Sequence, residues 1–456
     1  LGVGFWPFAF SIFLLSLIID RIGYGRAAVA GLVMHIVSVV ILLTADSARA
    51  LYWGTFVFAL SNGTVEAYIN PTIATMYPRE KVKWLNILHA GWPGGMVLAG
   101  MLAIALGDIA WQFKIALITV PTVVYSVLLF GTKFPVSERV AAGVSYRDMM
   151  KDFGALGTFV AVYLISLQVC QGILKMESGT FLWPLLPAVL AAAMVGAWVK
   201  SFGRGVYFIM LLIMIPLATT ELGIDSWITD LMAPEMSHIG LHAGWVLVYT
   251  AAIMTVMRLF AGPAAKLLSP MGMLACGSIL AIAGLLGLSM AAGIGVLIAA
   301  TIYGLGKAYF WSTTLGIVGE QFPRGGALAM NCVGGVGMLG LSVGMVFLGN
   351  IQDRHIDTEL TARDLQSGSA LHETYVTVPK SGLFGDYMAL DQNALQSASS
   401  VDMGEIQVAQ ESAKRNALRT AAIFPAIMLV SYVGLMLYFR RRGGYRVEEI
   451  HGGASR

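Results

Sequence analysis

Residues 65–86 read VEAYINPTIATMYPREKVKWLN. Glu66 and Asn70 are four positions apart, so on a helix they share one face. They lie in a strongly apolar region of the chain. A carboxylate turned toward hydrocarbon is costly, so that face is expected to look at something polar inside the protein. The apolar run then breaks at Pro78-Arg79, and a new helical pattern begins after a basic turn.

Composition carries the same message for the whole chain. Of 456 residues, 57% are hydrophobic and only 12% charged. The mean hydropathy is +0.74. Soluble domains carry about a quarter charged residues, so half that fraction with repeated apolar runs means an all-α polytopic membrane protein. The net charge of +3 is small and the basic residues are scattered, which argues against nucleic acid as a partner. Cys170, Cys276 and Cys332 all fall in apolar segments and read as small core residues, not as a disulfide or metal framework.

Hydropathy predicts about thirteen spans, roughly at 1–19, 27–45, 51–77, 84–106, 110–131, 154–173, 181–199, 206–232, 243–263, 270–290, 293–320, 326–348 and 419–439. The runs are too long and too uniformly apolar for barrel strands, so they are read as helices. The opening run has no basic flank or cleavage site and reads as a spanning helix already under way, with earlier sequence expected before it. Every second loop is basic: Arg21 and Arg26; Arg79, Lys81 and Lys83; Lys133, Arg139, Arg147 and Lys151; Lys200 and Arg204; Lys266; Arg324; and Arg440 to Arg442 with Arg446. The loops between carry little beyond Arg49 and Lys175. The basic loops and the C-terminus are therefore expected in the cytoplasm, and residue 1 outside.

Residues 349–418 are polar and are expected to form an outside loop. Asp353, His355 and Asp357 sit there at metal-like spacing, but alternating acids with a histidine recur in solvated loops, and no metal or cofactor is expected. Asn62 of the NGT sequon lies inside a span, where glycosylation does not reach. His35, alone on an apolar span, is read as a packing residue held by a hydrogen bond.

Two stretches match: PREKVKWLN (78–86) and PRGGALAMN (323–331). Each follows a span, opens with Pro-Arg and places Asn eight residues after the Pro. Each runs into glycines, at 91, 94, 95 and 100 in one case and at 334, 335, 337, 340 and 344 in the other. Small residues let helices approach closely in lipid. The match predicts two repeated bundles, as in secondary transporters.

The loop SLIIDRIGYGR (16–26) resembles the cytoplasmic signature of the major facilitator superfamily, Gly-x-x-x-Asp-Arg-x-Gly-Arg-Arg. Asp20, Arg21, Gly23 and Arg26 fit, while Ser16 and Gly25 depart from it. The resemblance implies a two-bundle fold with this loop as a conformational latch. It also implies that the family's first helix precedes residue 1, and that spans 154–173 and 181–199 are an inserted pair packed peripherally between the bundles. The stretch Glu-x-x-x-Asn-Pro, followed by Leu-Asn-x-x-His, is similar to the fourth and fifth helices of the fucose–proton symporter group. That resemblance implies proton coupling at Glu66 and sugar contacts from Asn70, Asn86 and His89, the last standing where the group usually has Gln. The implied domains are an N-terminal bundle at 1–131, a linker with the inserted pair at 132–204, a C-terminal bundle at 205–348, the loop 349–418, and a last helix with a basic tail at 419–456.

The second bundle has its own charges. Glu221 and Asp225 are four apart and share a face. They are expected either in an outer vestibule or at the cavity mouth, with Trp227 as a stacking surface for a sugar ring. Lys307 is too deep to snorkel easily and is expected to face the cavity or pair with an acid. Trp311 is a candidate cavity residue, and Arg258 is read as a latch near the cytoplasmic side. The sequence has no phosphate-binding loop of the ATP-driven kind and no nucleophile–base arrangement in a plausible setting, so an enzyme is not expected. The expected function is a proton-coupled importer of a monosaccharide or similar small polar solute, in a bacterial inner membrane. An exporter of organic anions or amphipathic compounds on the same fold and a non-transporting membrane sensor or scaffold are the alternatives.

Overall fold

The computed structural model describes residues 2–174, 176, 181–382 and 385–450. Leu1, Lys175 and residues 451–456, which the sequence reading also touches, lie outside the described residues. The first bundle comprises α1 (Gly2–Ile22), α2 (Tyr24–Leu43), α3 (Ala48–Met76), α4 (Lys81–His89), α5 (Gly91–Ala105), α6 (Trp111–Ala116) and α7 (Thr119–Leu129). The short α8 (Glu138–Ala141) leads to α9 (Tyr146–Gln168) and α10 (Leu185–Val199). The second bundle comprises α11 (Gly205–Ala218), α12 (Ile224–His238), α13 (Gly244–Leu259), α14 (Ala261–Leu268), α15 (Pro270–Met290), α16 (Ile294–Lys307), α17 (Phe310–Gln321) and the first half of α18 (Gly326–Ser367).

Among the described residues, ten helices are long and apolar enough to cross a membrane, or eleven if α13 and α14, bent by 69°, count as one span. Each predicted stretch corresponds to a helix or to a broken run of helices. The two outside that count are α3, diluted by its Asn, Glu and Gly residues, and the shorter α10. The protein is an integral membrane protein.

The bundles meet along two long helix pairs, α1 with α18 and α5 with α13. Small residues set these distances. A Cβ on Gly335 would lie 2.7 Å from the Phe13 ring, and one on Gly100 would lie 2.6 Å from Val248. In the first repeat the pattern overstates the packing, because Gly91 and Gly95 face open space. The main core draws Phe8, Ile12 and Phe13 of α1 together with Leu85, Met214, Leu217, Phe310, Leu315, Val336 and Tyr432. The first inserted helix is less peripheral than expected. Met149, Phe153, Val160 and Leu164 of α9 enter that core, whereas α10 exposes Leu186, Val189 and Met194.

The stretch read as a solvated loop is folded. α18 runs 42 residues without a break, well past its apolar part. It is followed by α19 (Leu371–Tyr375), a hairpin of β1 (Val378–Gly382) and β2 (Gly385–Ala389), α20 (Gln392–Leu395), α21 (Ser400–Ala421) and α22 (Ile423–Arg441). The hairpin is antiparallel, with Lys380 opposite Tyr387. Ile356 and Leu360 lie one turn apart on α18 and bury against Ile406, Ala409 and Ala413 of α21, with Leu371 and Tyr375 closing the cluster. Polar composition hid this because the apolar residues form only one narrow stripe per helix. Asp353, His355 and Asp357 do not converge: Asp353 pairs with Lys380, His355 meets Ser412 and Asn416, and Asp357 meets His372.

Candidate functional site

Four helical runs break where their side chains and backbones meet around Arg258 and Glu221, and the site lies among these breaks. Pro93 has no N–H, so the carbonyl four residues earlier, at His89, loses its helical donor where α4 gives way to α5. α11 passes into α12 through a π-turn at Thr219–Gly223, which carries Glu221. α13 ends one residue after Arg258, at the 69° bend. α16 stops at Lys307 and α17 resumes at Phe310.

A small pocket opens between these breaks, lined by Phe8, Glu66, His89, Trp92, Glu221, Leu222, Arg258, Trp311 and Met338. It draws residues from both bundles. On the first-bundle wall, His89 Nε2 donates to Asn70 Oδ1 at 2.9 Å and Asn70 Nδ2 donates to Glu66 Oε1 at 2.9 Å. The helical spacing that placed Glu66 and Asn70 on one face holds. From the second bundle, the Trp311 indole N–H reaches Glu66 Oε1 at 3.4 Å. The backbone N–H of Trp311 donates to Glu221 Oε2 at 3.0 Å.

Behind that wall lie two buried ion pairs. Arg258 binds Glu221, with Nη2 donating to Oε1 at 2.7 Å. Lys307 is 0% exposed and pairs with Asp225, its ammonium also lying over the Tyr303 ring. Glu221 and Asp225 are thus buried inside the bundle rather than placed in an outer vestibule. The helix continues through the π-turn to His238 instead of ending near Thr219. Each of these acids has its own cation. Glu66 has none among the described residues, its nearest basic group being the His89 ring at 3.8 Å.

Three residues lie elsewhere than the sequence reading placed them. Arg258 is not at a latch on the basic end. It is 1% exposed and sits at the pocket, because α13 bends immediately after it and never carries it outward. Asn86 does not line the pocket. It is 0% exposed, donates to Val82 O and Thr313 Oγ1, and accepts from Ser312 Oγ, tying α4 to α17. Trp227 packs on an apolar cluster with Ile224, Ile228 and Leu285 instead of offering a face to the pocket.

The basic end is closed by a second set of contacts. Asp20 pairs with Arg139, whose Nη1 also donates to Val144 O at 2.6 Å. Arg21 lies over the Tyr146 ring, Gly23 takes φ +82° in the turn that joins α1 to α2, and Arg26 is exposed. Lys81 Nζ crosses to the second bundle, donating to Gly319 O at 3.0 Å and to Glu138 at 2.7 Å. Glu320 accepts from Val82 N–H at the start of α4, a carboxylate at a helix N-terminus, and from Tyr445 OH of the tail at 2.7 Å. Glu448 then reaches Arg204 through both oxygens. Sequence reading missed Lys81, Glu138, Arg139, Glu320 and Tyr445 as a group. The one local hint is Glu320, three residues ahead of the second Pro-Arg; the first copy has Thr75 at that place.

Elsewhere in the first bundle, His35 Nε2 donates to Asn62 Oδ1 at 2.9 Å, which accounts for both polar residues.

The two-bundle arrangement has solved counterparts. They include the Escherichia coli fucose:proton symporter FucP, at 11% identity and TM-score 0.54, matched over 94% of this chain and 88% of that one. The human organic anion transporter MFSD10 follows at 11% identity and TM-score 0.57, over 95% and 82%. An auto-inhibited peptide transporter of the POT family gives 14% identity and TM-score 0.56, over 99% and 89%. The fold is that of the major facilitator transporters. No family model and no curated protein matches the sequence.

Proposed function

We propose that the protein is a secondary active transporter that carries a small polar solute together with protons by alternating access. The observation that supports this most is the charge balance at the seam. Both cations near the pocket, Arg258 and Lys307, are matched by acids, and Glu66 is the acid left over. A carboxyl with no cation partner can take up a proton without stranding a buried cation, and in its charged form it rests on hydrogen bonds alone. Neutralised cations also favour an uncharged solute over an organic anion, so a monosaccharide or similar polyol is the preferred substrate class. Among the solved neighbours a fucose:proton symporter stands beside anion and peptide transporters, so the fold alone does not choose among them.

The pocket is narrow here, about 40 Å³, which holds water but not a sugar ring. With the basic end sealed, this is a contracted conformation in which the site must widen to load. Asn70, His89 and Trp311 would offer hydrogen bonds and an aromatic face to the solute, and the Asp20–Arg139 pair would belong to the gate. In this reading the excess of Lys and Arg in those loops puts the gate on the cytoplasmic side. The test is uptake by the purified protein in vesicles under an imposed inward proton gradient, with a panel of labelled monosaccharides. Accumulation of one of them that collapses with an uncoupler is expected. Equal, gradient-independent leakage of every sugar would overturn the reading.

A further inference from the structure

Arg258 does more than neutralise Glu221. Its guanidinium points three ways. Nη2 meets Glu221 in the π-turn of the second bundle. Nε donates to Ala308 O at 2.7 Å, inside the break between α16 and α17. Nη1 donates to His89 O at 2.9 Å, the carbonyl of the first bundle that Pro93 leaves without a helical donor. The side chain itself stands at the 69° bend that follows α13. Glu221 completes the arrangement by accepting the Trp311 N–H, so the ion pair caps both sides of the α16–α17 break.

We propose that Arg258 is the pin that couples the state of the pocket to the bending of helices in both bundles. This rests on the transporter reading. Four irregular helices converge on one side chain, and broken helices are where transporter bundles flex around their sites. A planar guanidinium can serve three acceptors in fixed directions, which an ammonium cannot reproduce. While Glu221 holds Arg258, the three breaks are tied at one geometry. When a solute hydroxyl competes for Glu221, or a proton taken up at Glu66 shifts the Trp311 that also touches Glu221, the guanidinium is freed and the His89 tie across the seam loosens with it. Arg258 is thus a positioning residue rather than a solute ligand. The titratable and charged groups around it are Glu221 on the π-turn, His89 on α4, Asp225 on α12 and Lys307 on α16, with Glu66 of α3 sharing the pocket.

Two variants separate the pin from a purely structural role. Arg258→Lys keeps the buried charge but not the fork. Pro93→Ala leaves Arg258 intact and restores an N–H that can take His89 O. Spin labels at Lys133→Cys, just past the end of α7 of the first bundle, and at Lys266→Cys, on α14 of the second, both exposed, report the separation of the basic ends in a Cys276→Ser background. In lipid discs, the parent protein is expected to show two distance populations whose ratio shifts between alkaline and mildly acidic buffer. In Arg258→Lys that shift is expected to be lost, and in Pro93→Ala to shrink. If both variants shift as the parent does, the pin is refuted while alternating access stands. If the parent shows one fixed distance in both buffers, the transporter reading fails and takes the pin with it.

Discussion

Trp311 holds Glu66 from across the seam: an indole N–H of the second bundle rests 3.4 Å from Oε1 of the unpaired acid of the first. The same residue gives its backbone N–H to Glu221. One tryptophan therefore touches both the lone acid and the acid held by Arg258. Both carboxyls thus hold one helix break, and in the proposed mechanism that break is the route between proton and conformation.

Lys307→Met is expected to destabilise the protein strongly. Lys307 pairs with Asp225 in a buried site, and removing one partner strands the other charge at a cost of about 3–5 kcal/mol. Adding Asp225→Leu should recover most of that loss. Thermal unfolding in detergent checks both steps. A Met variant as stable as the parent would mean that the pair does not persist in the folded protein.

Asn331 and Pro71 form a cross-bundle couple. Pro71 leaves Ala67 O without its helical donor, and Asn331 Nδ2 supplies one from α18 at 2.8 Å. Asn331→Ala should cost about 1–3 kcal/mol, the penalty of an unpaired buried carbonyl. In a Pro71→Ala background the same change should cost clearly less, since residue 71 can then donate. Equal costs in the two backgrounds, measured by a double-mutant unfolding cycle, would rule out the coupling.

The closed basic end gives a third expectation. Glu320 joins the start of α4 to Tyr445, and the tail is anchored again at Arg204. Losing a charge-assisted hydrogen bond is worth about 1.5–3 kcal/mol, roughly a tenfold change in an opening equilibrium or more. A cysteine at the buried Ala74, beside this seal, should react with a water-soluble maleimide about tenfold faster after Glu320→Gln or truncation beyond Arg442. Unchanged labelling would show that the seal does not depend on these contacts.

Much of the fold can be read from the chain because lipid imposes it. Apolar runs of span length, alternating basic loops and the Pro-Arg repeat carry the two-bundle layout without any tertiary knowledge. The Glu66–Asn70 face is legible because helical spacing fixes it locally. The asparagines of the repeat show how far such reading goes. Asn86 and Asn331 are visible as a pair, but not that each crosses to the opposite bundle, Asn86 onto Ser312 and Thr313 and Asn331 onto Ala67. Arg258 reads as a latch in the sequence because it stands near the basic end of a predicted span. Its place depends on a bend, on Pro93 and on a π-turn, none of which leaves a hydropathy signal. The seal at the basic end joins residues such as Lys81 and Gly319, 238 positions apart, so no local pattern could reveal it.

The central claim is that Glu66 carries the coupled proton, and Glu66→Gln tests it most directly. The amide keeps a hydrogen-bonding group beside Asn70 and Trp311 but cannot ionise. The measurement is made in reconstituted vesicles, comparing uphill accumulation under an imposed pH gradient with counterflow exchange at equal pH on both sides. The expected result is exchange close to that of the parent protein with accumulation abolished. Undiminished, gradient-driven accumulation by Glu66→Gln would contradict the claim and move the proton to another group.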